Sequence, residues 1–134
     1  MEMPTFIRFL AESDNYKVYS EHESVYLIDK NKSSPEDPGM FITCHSGDPN
    51  CAIILPSEKY IIVAGCGLSI YDVEKKEEIY ILAEKDNISW VEGLYQSMLD
   101  DQNNEFRFVT ENSDDKLRVF RYHIKTHQIE QIDE

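Results

Sequence analysis

Short runs of apolar and aromatic residues alternate with polar stretches along almost the whole chain. Aromatic and β-branched residues dominate these runs, a composition that favours a pleated, half-buried sheet surface. The polar stretches between neighbouring runs are short, so we predict a mostly β fold made of antiparallel meanders. The predicted strands are 5–10, 16–19, 24–28, 40–43, 52–55, 60–64, 68–73, 78–82, 106–110, 117–124 and 128–132.

The central stretch, 60–82, predicts a three-strand meander. Gly65 and Gly67 flank Cys66 between its first two runs, which predicts a tight reversal or a bulge. Leu68 and Ile70 alternate with polar neighbours, whereas Tyr71 is out of phase with them. Either a bulge near Tyr71 or burial on both faces of the sheet would explain that pattern.

A similar pattern returns near the C-terminus, where 117–120 matches 68–71 in order and character at an offset of 49 residues. Self-similarity at 40–50 residues is typical of propeller blades, although any repeated meander gives the same pattern. A closed propeller needs at least four four-stranded blades, and 134 residues supply at most two or three. We therefore predict blade-like sheets within a single domain, 1–134, and exclude a closed propeller.

The segment 88–99 supports two interpretations. Ile88, Val91, Leu94 and Met98 have the spacing of an amphipathic helix. Gly93 disfavours a helix by about 1 kcal/mol relative to Ala. A strand over 89–96 would complete a four-strand blade, and we favour it because the rest of the chain is so uniformly β.

The net charge of the chain indicates which classes of partner it can bind. The chain has 26 Asp and Glu against 13 Lys and Arg, a net charge of −13 and a sequence pI near 4.6. Nucleic acid and anionic membranes require a basic face, so we expect neither as a partner. No apolar run approaches the roughly 18 residues of a membrane span. The N-terminus lacks a secretory signal and the three cysteines are an odd set, so we expect a cytoplasmic protein with reduced thiols, Cys66 being buried in a strand.

No catalytic motif occurs in the sequence, and we predict a protein that is not an enzyme, with no catalytic residues, metal or cofactor. Cys44, His45 and Cys51 lie close in sequence, but zinc sites need a second ligand pair. His123 and His127 have the spacing of a ligand pair and are interpreted as exposed hairpin residues. The acidic segment 100–105 lacks the central Gly and final Glu of a calcium loop.

The acidic residues bunch in predicted loops and turns, where binding sites on rigid β scaffolds are usually found. Solubility alone would account for such charge. The alternative is a docking surface for a basic protein, with the aromatic residues Trp90, Tyr95 and Tyr71 as anchors. The predicted partner-binding residues are Glu77, Glu78, Trp90, Tyr95, Asp100, Asp101, Glu111, Asp114 and Asp115.

A small, acidic, mostly β sequence with no leader and no active site resembles the immunity proteins of bacterial toxin systems, including contact-dependent growth inhibition. The stretch 60–72 is similar in style to bacterial proteins of that kind. The resemblance implies a cytoplasmic protein that binds one cognate toxin, often a basic nuclease, and occludes its active site. The alternatives are a ligand-binding or enzymatic β-barrel, with a pocket lined by His123, Tyr122 or Cys66, and a structural or regulatory adaptor, with a homodimer that buries Trp90.

Overall fold

The computed structural model describes residues 7–31, 39–44, 49–81, 91–96, 104–111 and 117–132. These residues form three four-stranded antiparallel sheets, each of which is a meander of consecutive strands. Sheet 1 contains β1–β4, sheet 2 contains β5–β8 and sheet 3 contains β9–β12. The prediction of a mostly β fold built from antiparallel meanders is confirmed. The strands are β1 Ile7–Glu12, β2 Tyr16–Glu21, β3 Ser24–Asp29, β4 Met40–Cys44, β5 Cys51–Ile54, β6 Tyr60–Gly65, β7 Gly67–Asp72, β8 Glu77–Ile81, β9 Val91–Tyr95, β10 Glu105–Glu111, β11 Leu117–His123 and β12 Gln128–Gln131.

The three sheets repeat one unit. Their second strands begin at Tyr16, Tyr60 and Glu105, which are 44 and 45 residues apart. The two segments that match in sequence, 68–71 and 117–120, lie in β7 and β11, the third strands of their sheets. The first strands are neighbours, since β5 contacts both β1 and β9. The sheets are therefore stacked in chain order, with sheet 2 in the middle.

Sheet 2 is buried on both faces. In β6, Ile61 and Val63 pack against Val18, Val25 and other residues of sheet 1. Ile62 and Ala64 point the other way and pack against a cluster from sheet 3. Side chains alternate between the two faces of a strand, so only a two-sided environment accommodates the unbroken apolar run 60–64. The cluster on the sheet 3 side includes Val91, Phe106, Phe108, Tyr122 and Ile124.

Burial on both faces also explains the phase change in β7. Leu68 and Ile70 belong to the cluster shared with sheet 3, whereas Tyr71 belongs to the cluster shared with sheet 1. The pairing of β7 with β6 and β8 is regular throughout, so the bulge that the sequence allowed near Tyr71 does not occur. Gly65 pairs with Gly67 around Cys66, and Gly67 has a φ of 90°, a conformation that glycine adopts without strain. The predicted tight reversal is confirmed.

The segment Val91–Tyr95 is a strand, so the helix alternative over 88–99 is wrong at these residues. A register shift in the pairing of β9 with β10 lies between Val109 and Thr110. The shift turns both Val91 and Leu94 toward the core shared with sheet 2, although they are three residues apart. The bulge therefore produces a helix-like spacing of apolar residues within a strand.

Polar side chains join the sheets close to their first strands. Arg8 of β1 donates hydrogen bonds to the carbonyls of Pro49 (2.9 Å) and Asn50 (3.0 Å), just before β5. The Asn50 side-chain amide donates in turn to the carbonyls of Val91 (3.0 Å) and Glu92 (2.9 Å) in β9. Asn50 thus connects all three sheets.

Candidate functional site

The structure places the predicted partner-binding residues in three different settings. Glu77 and Glu78 open β8 and are exposed, with their side chains on opposite faces of the strand. Tyr95 ends β9 and is 43% exposed. Glu111 is the last residue of β10. The others lie outside the described residues: Trp90, Asp100, Asp101, Asp114 and Asp115.

The described carboxylates do not share one edge. The β7–β8 turn, next to Glu77, and the β11–β12 turn, through Lys125, line the same groove. Glu111 pairs with Leu117, which begins β11 at the end opposite that turn. The backbone of Glu111 therefore lies at the other end of the sheets from Glu77.

Tyr71, expected to be an aromatic anchor, is 5% exposed in the core between sheets 1 and 2. It cannot contact a partner in the folded protein, and the expectation is wrong for this residue. Burial, followed by the nearby charges of Asp72 and Glu78, raises the pKa of the Tyr71 phenol. Cys66, expected to be buried in a strand, is instead half-buried at the β6–β7 turn.

Negative charge is unevenly divided between the strand framework and the rest of the chain. The described residues include 14 acidic and ten basic side chains, a net charge of −4. The remaining 12 acidic and three basic residues, a net charge of −9, fall in sequence between strands or at the chain ends. The described strands and turns thus carry a net charge of only −4, and −9 of the total −13 belongs to the residues outside them.

A groove of about 420 Å³ lies between the loop ends of sheets 2 and 3. Its ionisable side chains are mixed, with two carboxylates, two lysines and one histidine. At its margin the buried hydroxyl of Tyr122 lies 2.6 Å from His127 Nδ1, and burial raises the pKa of that phenol, so it stays protonated at neutral pH. The lining residues are Tyr60, Ile70, Asp72, Lys75, Glu77, Ile79, Ile124, Lys125 and His127.

The pocket that would favour an enzyme was expected to contain His123, Tyr122 or Cys66, and none of these lines the groove. His123 lines a separate, small and open depression of about 60 Å³. Among the described residues, no group of three or more His, Cys, Asp or Glu side chains could hold a metal ion. Burial raises the pKa of the Cys51 thiol, which makes it a weak nucleophile at neutral pH.

An aromatic row crosses the face of sheet 1 that points away from sheet 2. Phe9 pairs with Tyr19, Tyr19 with Tyr26, and Tyr26 with Phe41, one residue from each strand. The Tyr19 and Tyr26 rings stack with centroids 5.3 Å apart, and Phe41 meets Tyr26 edge-on at 5.9 Å. Phe9 is 56% exposed and Phe41 is 55% exposed. Sequence reasoning missed this row, because strand register alone brings its members together.

The face of sheet 3 that points away from sheet 2 has a different chemistry. Tyr95, Arg107, Arg121 and Glu130 pair across its four strands. The Arg107 guanidinium lies over the Tyr95 ring, 5.6 Å from its centroid. Arg121 Nε lies 3.9 Å from the Glu105 carboxylate. The two ends of the stack are therefore an aromatic face and an arginine-bearing face.

A carboxylate that the sequence analysis did not single out joins sheets 1 and 2 at their loop ends. Glu58 accepts hydrogen bonds from the Ser13 hydroxyl, from the Asn15 backbone N–H (3.0 Å) and from the Asn15 side-chain amide (2.7 Å). The Ser13 hydrogen bond, followed by those from Asn15, lowers the pKa of Glu58. Nothing near Glu58 in sequence marks this contact, because its partners are more than 40 residues away.

We expect Glu58→Gln to weaken the fold at neutral pH and to flatten its response to acid. The pKa of Glu58 is lower in the folded state, so its ionised form stabilises the fold above the ordinary pKa of 4.5. That stabilisation is lost as the pH falls from 4.5 through the lower folded value. Urea unfolding at several pH values measures the effect, with Glu74→Gln in the β7–β8 turn as the control. Equal acid sensitivity in Glu58→Gln and the unsubstituted protein would contradict the assignment.

The comparisons leave the family open. No protein-family model matches the chain, and a search of curated proteins finds no matching relative.

The described residues include no helix that is long and apolar enough to cross a membrane.

Proposed function

We propose that the chain is an immunity-type protein that binds a basic, nuclease-type bacterial toxin and blocks its active site without catalysing a reaction. The observation that carries this proposal is that most of the net negative charge lies outside the described strands and turns. Residues outside the described strands and turns hold 12 carboxylates and only three basic groups. Complementary charge raises association rates, so such segments favour rapid capture of a basic partner.

The framework supports the same role. Sheet 2 is packed on both faces and Asn50 connects all three sheets, so the described strands form a well-packed base. A preformed base lowers the entropic cost of ordering an interface. In this mechanism, carboxylates pair with Lys and Arg side chains around the toxin active site and exclude its substrate. Glu77 and Glu78, exposed at the start of β8, are two described carboxylates that we assign to this role.

The direct test uses the protein encoded by the reading frame immediately upstream of this gene. We expect this upstream protein to be basic, to arrest growth when expressed in bacterial cells and to be neutralised by co-expression of this chain. An upstream product that is harmless, or a toxic one that still arrests growth in the presence of the chain, would contradict the proposal.

A matched pair of variants tests the role of the carboxylates. The first variant carries Asp100→Asn, Asp101→Asn, Asp114→Asn and Asp115→Asn. The control replaces four exposed carboxylates of the framework: Asp14→Asn, Glu23→Gln, Glu74→Gln and Glu92→Gln. Both variants gain four units of charge, but only the first is expected to lose neutralisation. If the two variants neutralise the toxin equally well, the carboxylates at 100, 101, 114 and 115 serve solubility and not toxin binding.

A further inference from the structure

We propose that two copies of this chain associate head to tail into a ring of six sheets, in which the aromatic face of each copy packs on the arginine-bearing face of the other. The aromatic face is the outer surface of sheet 1, and the arginine-bearing face is the outer surface of sheet 3. This inference goes beyond the proposed function and does not depend on it.

The aromatic face has the character of a surface that becomes covered. Its row of four rings presents Phe9 and Phe41 with more than half of each side chain exposed. Ile7, on the same side of β1 as Phe9, is 41% exposed. At one side of the row the Lys17 ammonium lies 5.6 Å from the Phe9 ring centroid. Exposed aromatic surface rimmed by polar groups in this way marks an interaction site.

The arginine-bearing face supplies a complementary chemistry. Arg107 and Arg121 are directly opposite each other on β10 and β11, and Arg121 also lies 3.9 Å from the Glu105 carboxylate. Guanidinium groups stack favourably on the faces of aromatic rings. Within the chain, Arg107 already makes this type of contact with Tyr95. The Phe41 ring, which is 55% exposed, is the corresponding acceptor on a second copy.

The stacking order of the sheets fixes which faces can meet. Sheet 2 directs one face to sheet 1 and the opposite face to sheet 3. Within one copy, the outer face of sheet 1 and the outer face of sheet 3 have no sheet packed on them. A second copy can therefore place its sheet 3 on sheet 1 of the first copy, in the direction in which the sheets already follow one another. Because the two faces differ, the contact between copies is heterologous. Such a contact gives a closed ring only when the rotation that relates one copy to the next returns to the start after a whole number of copies. Propellers have about four to eight blades, so two copies with three sheets each fit within that range and three copies exceed it.

The combined area of the two outer sheet faces agrees with a closed dimer. Four strands of about six residues cover roughly 350–400 Å² per sheet face, from the spacing between strands and the rise per residue. Stable complexes bury roughly 800 Å² per partner. One face falls short of that value, whereas both faces together approach it. The closed arrangement, in which each copy uses both faces at once, is therefore the favoured one.

Sedimentation velocity of the 134-residue chain tests the proposal. We expect a species of twice 15.7 kDa with a compact frictional ratio. A single species of 15.7 kDa up to the highest soluble concentration would overturn the proposal, and so would larger oligomers that grow with concentration. This measurement needs no variant.

Paired variants test the head-to-tail arrangement. Phe9→Lys with Phe41→Lys places charge on the aromatic face, and Arg107→Glu with Arg121→Glu reverses the charge on the other face. Each double variant alone is expected to be monomeric, and an equimolar mixture is expected to recover the dimer, with one unaltered interface and one Lys–Glu interface. Ile79→Lys on β8, where the side chain is 40% exposed, is the control and should remain dimeric. A dimer that persists in either double variant would contradict head-to-tail packing.

Discussion

Replacing Ile61 and Ile62 by alanine, one at a time, is expected to destabilise the protein by about 2–5 kcal/mol in each case. Both side chains are fully buried, and they point to opposite faces of β6. In an antiparallel sheet with one solvated face, one of two adjacent residues tolerates truncation. Here each truncation leaves a cavity, one between sheets 1 and 2 and the other between sheets 2 and 3. Urea unfolding followed by circular dichroism measures both values.

Ile79→Ala on β8 is the matched control for the isoleucine pair. Its side chain is 40% exposed, so the same truncation should change the free energy of unfolding by about 1 kcal/mol or less. If either Ile61→Ala or Ile62→Ala behaved like this control, sheet 2 would have a solvated face and the three-layer account would fail.

Asn50→Asp is expected to destabilise the protein more than Asn50→Ala, although aspartate is closer in shape to asparagine. The asparagine amide donates to two carbonyls of β9, and an aspartate carboxylate would place acceptor oxygens against those acceptors. Loss of the two hydrogen bonds in Asn50→Ala should cost about 1–3 kcal/mol. The aspartate adds electrostatic repulsion, which should diminish when acid protonates the carboxylate.

The same denaturation experiment at neutral and acidic pH tests the role of Asn50. Asn31→Asp is the control, because the Asn31 amide donates to a single exposed oxygen of Asn15. A smaller effect for Asn50→Asp than for Asn50→Ala at neutral pH would show that Asn50 does not join β9 to the other sheets.

Much of the fold could be predicted from the sequence because its strongest signals are local. The glycines around Cys66 and the repeat between 68–71 and 117–120 identified the hairpin and the blade-like unit. The phase change at Tyr71 was correctly linked to burial on both faces as one of two explanations. The helix alternative over 88–99 arose because a bulge gives strand β9 the apolar spacing of a helix.

The candidate surfaces were harder to predict, because they depend on pairing between distant segments. Phe9 and Phe41 belong to one row only through the registers of three strand pairs. Asn50 and Glu58 bind partners more than 40 residues away, and neither has a local motif. The residue type alone also gave a wrong prediction for Tyr71, because an aromatic side chain fits a buried core as well as a binding interface.

The role of the carboxylates in capture is measured by the association rate constant for the upstream toxin, obtained by stopped-flow fluorescence at low and high salt. We expect a rate constant that falls steeply with salt. We also expect the variant at Asp100, Asp101, Asp114 and Asp115 to associate at least about tenfold more slowly at low salt. The framework control should stay within a few-fold of the unsubstituted protein. A rate constant that is independent of salt and equal for both variants would show that the carboxylates outside the sheets do not guide binding.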